Sequence, residues 1–240
     1  MKKTIFDMDE VIKSCVAEKL RNSISRVLVL DSDCSYADFY FDKDGKLIKA
    51  DFSGDKRVIE YNEDGDMSKV LHSDGTINIY EYDDNRNAIK ISEYYADRDD
   101  IFIQEHKYDN SGNDIYVKQY ILRNGVEEPC DPYEIWKVYN EKDQVILMRQ
   151  TGDIEERYTY TECGNLETSV NDYFSVINTF DENNIISHST RLEFNSEKAV
   201  EKEIGTDFEH DKDGNLIYAC QSYGFFTKYY YEFYDKEEAK

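Results

Sequence analysis

Hydrophobic and polar residues alternate along most of the chain. Segments such as VIEYN, INIYEYD, DIYVKQY and ERYTYT place apolar or aromatic side chains at every second position. This period of two is typical of β-strands whose two faces meet different surroundings. Short runs rich in Gly, Asp and Asn, the residues of tight turns, separate these segments. The pattern therefore predicts a succession of short strands joined by hairpin turns.

The strands belong to a repeat. An aromatic residue followed by Asp or Asn recurs about every 20 residues, with longer spacings in places. A repeat of this period is a signature of repeat architectures. The copies are Phe41-Asp42, Tyr61-Asn62, Tyr82-Asp83, Tyr108-Asp109, Tyr139-Asn140, Phe180-Asp181 and Tyr234-Asp235, with Tyr160-Thr161 and His210-Asp211 as variants. In several copies a glycine follows the aromatic by four residues, as in FDKDGKL, YTECGNL and HDKDGNL. A second set, Gly54, Gly75, Gly125, Gly152 and Gly224, marks further turns. Glycine adopts positive φ without steric cost, so each repeat is predicted to be one hairpin.

Successive hairpins predict a mainly β fold, a long antiparallel meander over residues 36–235. A flat sheet of this width would leave long reactive edges, so we expect a coiled or curved sheet. Within residues 1–30, an amphipathic pattern over Asp9–Ser25 predicts a helix that caps one end, followed by a first strand. No linker divides the chain, so residues 1–240 are predicted to form a single domain.

The repeat resembles the YD (Rhs) repeats of large bacterial toxin shells and wall-associated proteins. In that family the unit runs approximately Y-D-x-x-G-N-L, strand, D-G, strand, Y-x-Y-D. The best matches are the segment from Tyr61 to Tyr82, which ends in SDGTINIYEYD, and His210–Ile217. Arg86, Asp143 and Asn184 depart from the pattern at its glycine position. The resemblance implies a coiled antiparallel sheet and supplies no catalytic residues. Small repeat proteins of this kind are similar to immunity proteins encoded beside polymorphic toxins.

Charge narrows the range of partners. The chain has 52 Asp and Glu against 29 Lys and Arg, for a formal net charge of −23. Such a chain repels nucleic acids and anionic membranes and attracts basic proteins. The start, MKKTIFDMDEVIKSC, lacks the apolar run of a signal peptide, and the five cysteines are scattered without a C-x-x-C pair. These features predict a cytoplasmic protein with free thiols.

The segment HDKDGNLI has three interpretations: half of a calcium loop, the His-Asp pair of a metal-dependent hydrolase, or a tight turn. As a calcium loop it places Cys220 where a bidentate Glu is needed. As a hydrolase site it lacks companions, because His72, His106, His188 and His210 fall in different repeats. No G-x-S-x-G or H-E-x-x-H motif is present. The sequence therefore predicts a turn there, no enzyme activity, no metal and no cofactor.

Two segments, 94–107 and 121–137, stretch the repeat and are predicted to be longer loops. Loops on a rigid repeat frame are frequent binding sites. Aromatic residues flanked by carboxylates would suit a basic protein surface. The candidate partner-binding residues are Glu127, Glu128, Asp131, Tyr133, Glu134, Trp136, Asp97, Asp99 and Asp100.

These features favour a cytoplasmic immunity protein that binds a cognate toxin, a basic nuclease-like domain, and blocks it by stoichiometric occlusion. The alternative is a carbohydrate-binding or cell-surface β-repeat module, motivated by the 21 tyrosines. A third hypothesis is an intracellular scaffold without a specific ligand.

Overall fold

The computed structural model describes residues 23–152 and 154–234, with only the backbone described at 131–133. Its regular structure is a single 18-stranded antiparallel sheet. The strands are β1 (Ile24–Asp31), β2 (Tyr36–Phe41), β3 (Leu47–Phe52), β4 (Asp55–Tyr61), β5 (Met67–His72), β6 (Ile77–Tyr82), β7 (Ala88–Tyr94), β8 (Ile101–Tyr108), β9 (Asp114–Arg123), β10 (Val126–Tyr139), β11 (Val145–Gln150), β12 (Ile154–Tyr160), β13 (Leu166–Val170), β14 (Phe174–Phe180), β15 (Ile186–Phe194), β16 (Val200–His210), β17 (Leu216–Gln221) and β18 (Phe226–Phe233).

The sheet is closed. Each strand pairs with its neighbours in chain order, and β1 pairs with both β2 and β18. The closing pair runs from Ile24 opposite Phe233 to Asp31 opposite Thr227. The predicted meander is confirmed, but the predicted coiled or curved sheet is wrong, because the sheet closes on itself. Closure satisfies the ladder hydrogen bonds of both outer strands and so removes the edges that an open sheet would expose.

The N-terminal helix predicted over Asp9–Ser25 is wrong at its last two residues, because Ile24 and Ser25 lie in β1. The rest of that predicted helix falls outside the described residues. Ile24 is 1% exposed, belongs to the hydrophobic core and pairs with Phe233 of β18, and this ladder holds it in a strand. The residues that the structure describes include no α-helix, and accordingly none that could cross a membrane.

The hydrophobic core lies against one part of the ring, formed by β1 to β7 together with β17. Its buried members are Ile24, Val27, Phe39, Phe41, Leu47, Ala50, Ile59, Met67, Val70, Tyr80, Ile91 and Leu216. Among the described side chains, strands β11 to β15 contribute none to this cluster, and β16 contributes the half-buried Phe208, which packs against it. The alternating pattern in the first half of the chain thus corresponds to strands with one face in the core.

The motif HDKDGNLI is a turn, as predicted. The Asp211 carboxylate accepts hydrogen bonds from the backbone N–H of Asp213 at 2.8 Å and of Asn215 at 2.9 Å. Its second oxygen accepts the Asn215 side-chain amide at 2.8 Å. Asp42, Asp83, Asp109, Asn140 and Asp181 close their own turns in the same way. The Asp and Asn side chains of the repeat therefore mainly accept hydrogen bonds from the backbone of their own turns.

The turns that lack glycine have the same positive φ at the position that glycine occupies in the other turns. Arg86, Asp143 and Asn184 have φ of 65°, 58° and 60°, close to the 86° of Gly214. A further turn of this type was missed from the sequence. It follows Phe194 at Asn195, where the side chain accepts the N–H groups of Glu197 and Ala199, and Lys198 has φ of 61°. Lysine at the glycine position concealed it.

Tyrosine at the aromatic position links each repeat to the one before. The Tyr61 hydroxyl donates to the carbonyl oxygen of Leu47 at 2.8 Å, and Tyr82 donates to that of Met67 at 2.6 Å. Tyr108, Tyr139 and Tyr160 donate equivalently to Ala88, Asp114 and Val145. A phenol buried by its neighbours needs such an acceptor, so the position favours Tyr over Phe.

The up-and-down order sends alternate turns to opposite ends of the closed sheet. The lower rim consists of the turns at 42–46, 62–66, 83–87, 109–113, 140–144, 161–165, 181–185 and 211–215. The upper rim consists of the turns at 32–35, 53–54, 73–76, 95–100, 124–125, 151–152, 171–173, 195–199 and 222–225.

Candidate partner-binding rim

The β9–β10 hairpin brings Glu127 and Glu128 to the upper rim. Its turn is Asn124-Gly125, with φ of 51° and 77°. Two successive positive φ values define the hairpin turn that Asn-Gly favours. Glu127 and Glu128 follow this turn after Val126 and lie opposite Leu122 and Ile121.

The predicted loop over 121–137 is wrong, because Val126–Tyr139 forms strand β10. The extra residues are absorbed by a bulge. Pro129 lies opposite Tyr120 and Glu134 opposite Lys118, so residues 130–133 face Gln119 alone. Proline cannot donate to a ladder, and a bulge is where a sheet tolerates it. Asp131 and Tyr133 lie in this bulge. The other stretched segment, 94–107, is mostly strand β8, with a turn at residues 95–100.

Arg123 ties two of the predicted acids together. Its Nε and Nη2 donate to the two carboxylate oxygens of Asp100 at 2.9 and 2.8 Å, and Nη1 donates to Glu128 at 2.9 Å. The hydrogen bond from Arg123 holds the pKa of Asp100 below its ordinary value. Glu127 forms an ion pair with Lys118. These three acids are thus neutralised largely within the chain.

Asp97 and Asp99 lie beside Asp100 on the exposed β7–β8 turn. Neither forms an ion pair with any residue that the structure describes. The intervening Arg98 lies over the Tyr95 ring, 3.6 Å from its centroid. The uncompensated negative charge of this part of the upper rim is therefore carried by Asp97 and Asp99.

Trp136 and Glu134 do not lie with these acids. Trp136 is opposite Tyr116, seven residues along β9 from Arg123, which is about 23 Å at 3.3 Å per residue. The Trp136 and Tyr116 rings pack at 5.9 Å between centroids, and Glu134 accepts the Tyr116 hydroxyl. Glu134 instead lies beside the turn at 151–152, because Thr151 donates its N–H to the Glu134 carbonyl oxygen at 2.9 Å, and Trp136 lies opposite Arg149 just below that turn. The structure therefore divides the predicted group between two separate parts of the upper end.

The upper rim carries aromatic residues that the sequence analysis did not single out. Among the described side chains, the five most exposed large apolar residues all lie at this end, each with more than half of its surface accessible. They are Val126 (62%), Tyr173 (63%), Val200 (55%), Tyr223 (57%) and Phe225 (60%). An aromatic within or beside a turn of Asn, Ser and Gly was the available signal, since such turns are normally polar.

Carboxylates lie close to one of these aromatics. A cavity of about 290 Å³ between the β1–β2 and β17–β18 turns is lined by Asp31, Asp33 and Phe225, among others. The Asp33 carboxylate accepts the hydroxyl of Ser35 at 2.6 Å and its N–H at 2.9 Å, and these bonds lower the pKa of Asp33. Asp33 is therefore anionic beside an exposed phenylalanine.

Metal-ligating groups are not clustered in the described part of the chain. No three His, Cys, Asp or Glu side chains there are arranged to hold a metal ion. Of the four histidines, His188 contacts Asp207 on the neighbouring strand at 2.6 Å, and His106 contacts Asp114 at 3.3 Å. The His210 ring stands at the aromatic position of its turn, where burial lowers its pKa.

No protein-family model matches the sequence. No curated protein matches it either.

Solved structures do resemble the fold. A porin-like protein from Bacteroides uniformis superposes with a TM-score of 0.50 at 11% identity, over 87% of this chain and 96% of that protein. At this identity the likeness shows a common fold and nothing about activity.

Chains of bacterial Tc toxins match more weakly. The Photorhabdus luminescens Tc holotoxin pore gives a TM-score of 0.28 at 10% identity over 78% of this chain, and a TcdB2–TccC3 structure gives 0.27 at 10% identity over 77%. The chain spans about 12% of those toxin chains. These scores are too low to support a common architecture.

Proposed function

We propose that the protein binds a basic protein partner across its upper rim, and that the partner is a toxin domain that it neutralises as an immunity protein. One observation carries the proposal. The five most exposed large apolar side chains of the described residues lie at the same end of the closed sheet as the unpaired Asp97 and Asp99, with Val126 on the neighbouring hairpin and the other four between β13 and β18. Exposed apolar groups interspersed with charge are typical of protein interfaces.

Charge would guide the encounter. With a net charge of −23, the chain attracts cationic surfaces over about one Debye length, roughly 8 Å at physiological ionic strength. Asp97 and Asp99 are free to pair with a partner's Lys or Arg without first breaking an internal ion pair. Asp100, Glu127 and Glu128 would have to exchange Arg123 or Lys118 for the partner, so they contribute less.

Aromatic anchors would provide the affinity. Tyr173 lies on the β13–β14 turn and Tyr223 and Phe225 on the β17–β18 turn, with the β15–β16 turn between them on the upper rim. Tyrosine offers a large contact area at little cost in side-chain entropy, and aromatic residues dominate interface energetics. Burial of these side chains against a partner would remove an apolar surface that the free protein leaves in water.

The lower rim is the less suitable surface. The carboxylates of the first residues of its turns, such as Asp42, Asp83 and Asp211, each accept hydrogen bonds from two backbone N–H groups. Charges that hold their own turns closed are less available to a partner. None of the five most exposed apolar residues in the described part of the chain lies there.

The toxin-neutralising role rests on the resemblance to YD-repeat and immunity proteins. It is tested by co-expression with the polypeptide encoded beside this gene, in cells that the polypeptide alone kills. The proposal predicts rescue of growth by the wild-type chain and loss of rescue by the triple variant Tyr173→Ser, Tyr223→Ser, Phe225→Ser. The matched control replaces three apolar residues of the walls, Ile48→Ser, Ile146→Ser and Ile177→Ser, and should still rescue.

Two results would contradict the proposal. One is absence of rescue by the wild-type chain while both proteins are expressed. The other is binding of glycans on an array without binding of any basic protein, which would favour the carbohydrate-binding alternative.

A further inference from the structure

A cavity of about 190 Å³ is lined by residues of strands β3 to β7. Its floor is apolar and belongs to the hydrophobic core. The apolar lining consists of Leu47, Ala50, Phe52, Ile59, Met67 and Val70. An apolar cavity of about 150 Å³ is large enough to bind benzene, so this cavity accommodates a ligand of about that size.

One wall of the cavity is polar and consists of two cross-strand pairs. Arg57 lies opposite His72, and Asn78 lies opposite Glu93. The pairs are joined by a 3.1 Å contact between His72 Nε2 and Asn78 Oδ1, and Asn78 Nδ2 donates to Glu93 at 3.3 Å. His72 and Glu93 stand next to the upper-rim turns at 73–76 and 95–100. The polar wall therefore faces the rim and the apolar floor lies deeper.

The charges of this wall do not cancel. Arg57 forms an ion pair with Asp55 at 2.8 Å, and its guanidinium stacks on Phe52, 4.3 Å from the ring centroid. Glu93 accepts a hydrogen bond from Asn78 but forms no ion pair with any described residue. The cavity thus presents one carboxylate without a cation.

Tyr80 lines the cavity with a hydroxyl group that has no hydrogen-bond partner among the described residues. The residue is 7% exposed and lines the cavity, and its hydroxyl makes no hydrogen bond within the part of the chain that the structure describes. Burial raises the pKa of Tyr80 to about 12, so the phenol is protonated and can donate or accept. The hydroxyl is open to the cavity, where a bound ligand can donate a hydrogen bond to its oxygen or accept one from it.

We propose that this cavity binds a small organic ammonium ion, with an apolar body against Leu47, Met67 and Val70 and its ammonium group against Glu93. The ammonium would supply the cation that Glu93 lacks and a hydrogen-bond donor for the Tyr80 oxygen. A carboxylate ligand is disfavoured, because it would lie beside Glu93 and would have to displace Asp55 from Arg57. The cavity lining does not include Asp97, Asp99 or the exposed aromatics of the rim, so ligand binding can be measured without the proposed protein partner.

The experiment compares three probes that share a benzyl or phenyl body, by calorimetric titration at pH 7. Benzylamine should bind saturably at one site, benzyl alcohol about tenfold more weakly, and benzoate not measurably, because a charge-assisted hydrogen bond contributes roughly a factor of ten. Benzylamine should also shift the ring signals of His72 in an NMR spectrum, which requires no variant.

Two variants test the position of the site. Glu93→Gln should weaken benzylamine binding about tenfold and leave benzyl alcohol within about twofold, since only the charge is removed. Glu60→Gln removes an equal charge from the exposed face of β4 and should change neither probe. Circular dichroism establishes that both variants are folded.

Three outcomes would overturn the proposal: no saturable binding of benzylamine, equal binding of benzoate, or equal loss of affinity in the Glu60→Gln and Glu93→Gln variants. None of them bears on partner binding at the rim.

Discussion

The hydroxyl of Tyr234 donates a hydrogen bond to the carbonyl oxygen of Phe41 at 2.6 Å, although the two residues are 193 positions apart in the chain. It is the same kind of bond that Tyr61 and Tyr82 make to the preceding repeat, but it joins the last repeat to the first. The closed sheet is therefore fastened at its seam by a tyrosine as well as by the ladder between β1 and β18.

Replacement of Tyr234 by phenylalanine should loosen this seam. Loss of the hydroxyl leaves the Phe41 carbonyl without its donor and should lower the free energy of unfolding by about 1 kcal/mol. Amide hydrogen exchange should accelerate in β1 and β18. The control Tyr82→Phe removes a hydroxyl within the meander and should leave exchange in β1 unaffected. Unchanged exchange at the seam in Tyr234→Phe would show that the bond does not fasten the ring.

The turn acids predict a dependence of stability on pH. Hydrogen bonds from the backbone N–H groups of Asn113 and Ile185 hold the pKa values of Asp109 and Asp181 below their ordinary range. For Asp211 burial acts in the opposite direction, but the bonds from Asn215 prevail and its pKa is also lowered. Stability from a lowered carboxyl pKa is complete above the unfolded value, about 3.9, and is lost as the pH falls through the folded value. The urea midpoint should therefore be flat from about pH 5 to 7 and fall below about pH 4. A midpoint that rises on acidification would contradict this.

A single turn tests the role of its acid more directly. Asp211→Ala removes the acceptor for two backbone N–H groups and should cost about 1 to 2 kcal/mol. Asp211→Asn retains a side-chain oxygen, which is what Asn140 uses in its own turn, and should cost less. Equal losses in urea unfolding would mean that the charge, and not the acceptor geometry, stabilises the turn.

Much of this local structure could be predicted from the sequence, because turns and alternation are local. Glycine and Asx residues mark the hairpins directly. The turn after Phe194 was missed because Lys198 adopts positive φ without the residue type that signals it. Strand β10 was mistaken for a loop because its prolines are accommodated by a bulge that only the partner strand reveals.

Closure could not be predicted, since it depends on pairing between residues about 200 positions apart. Nothing in β1 or β18 distinguishes partners in a ring from the two edges of an open sheet. The apolar pattern over Asp9–Ser25 was compatible with a helix and also with a strand at Ile24. Ile24 lies in the core and in a strand that pairs with Phe233, near the other end of the chain. For the candidate site, the acids of the rim were predictable, whereas its aromatic residues became apparent only when alternate turns were assigned to one end.

A buried polar cluster offers a further test. Lys137 donates to the Asp114 carboxylate at 2.7 Å, and His106 contacts the same oxygen at 3.3 Å. The other Asp114 oxygen and His106 Nε2 are buried without partners among the described residues. Lys137→Met would leave the Asp114 charge without its cation and should destabilise the fold by about 1 to 3 kcal/mol. A destabilisation no larger than that of the exposed control Lys142→Met would show that the pair contributes little.

The central claim is that the upper rim is the binding surface. It is tested most directly by the affinity of the polypeptide encoded beside this gene, measured by calorimetry at low and high salt. We compare the wild type with Asp97→Lys/Asp99→Lys on the upper rim and with Asp44→Lys/Glu63→Lys on the lower rim, which change the net charge equally. The account predicts one-to-one binding that weakens with salt, at least about tenfold lower affinity for the upper-rim variant, and a much smaller effect of the lower-rim variant. Equal losses in the two variants, or binding indifferent to both, would contradict it.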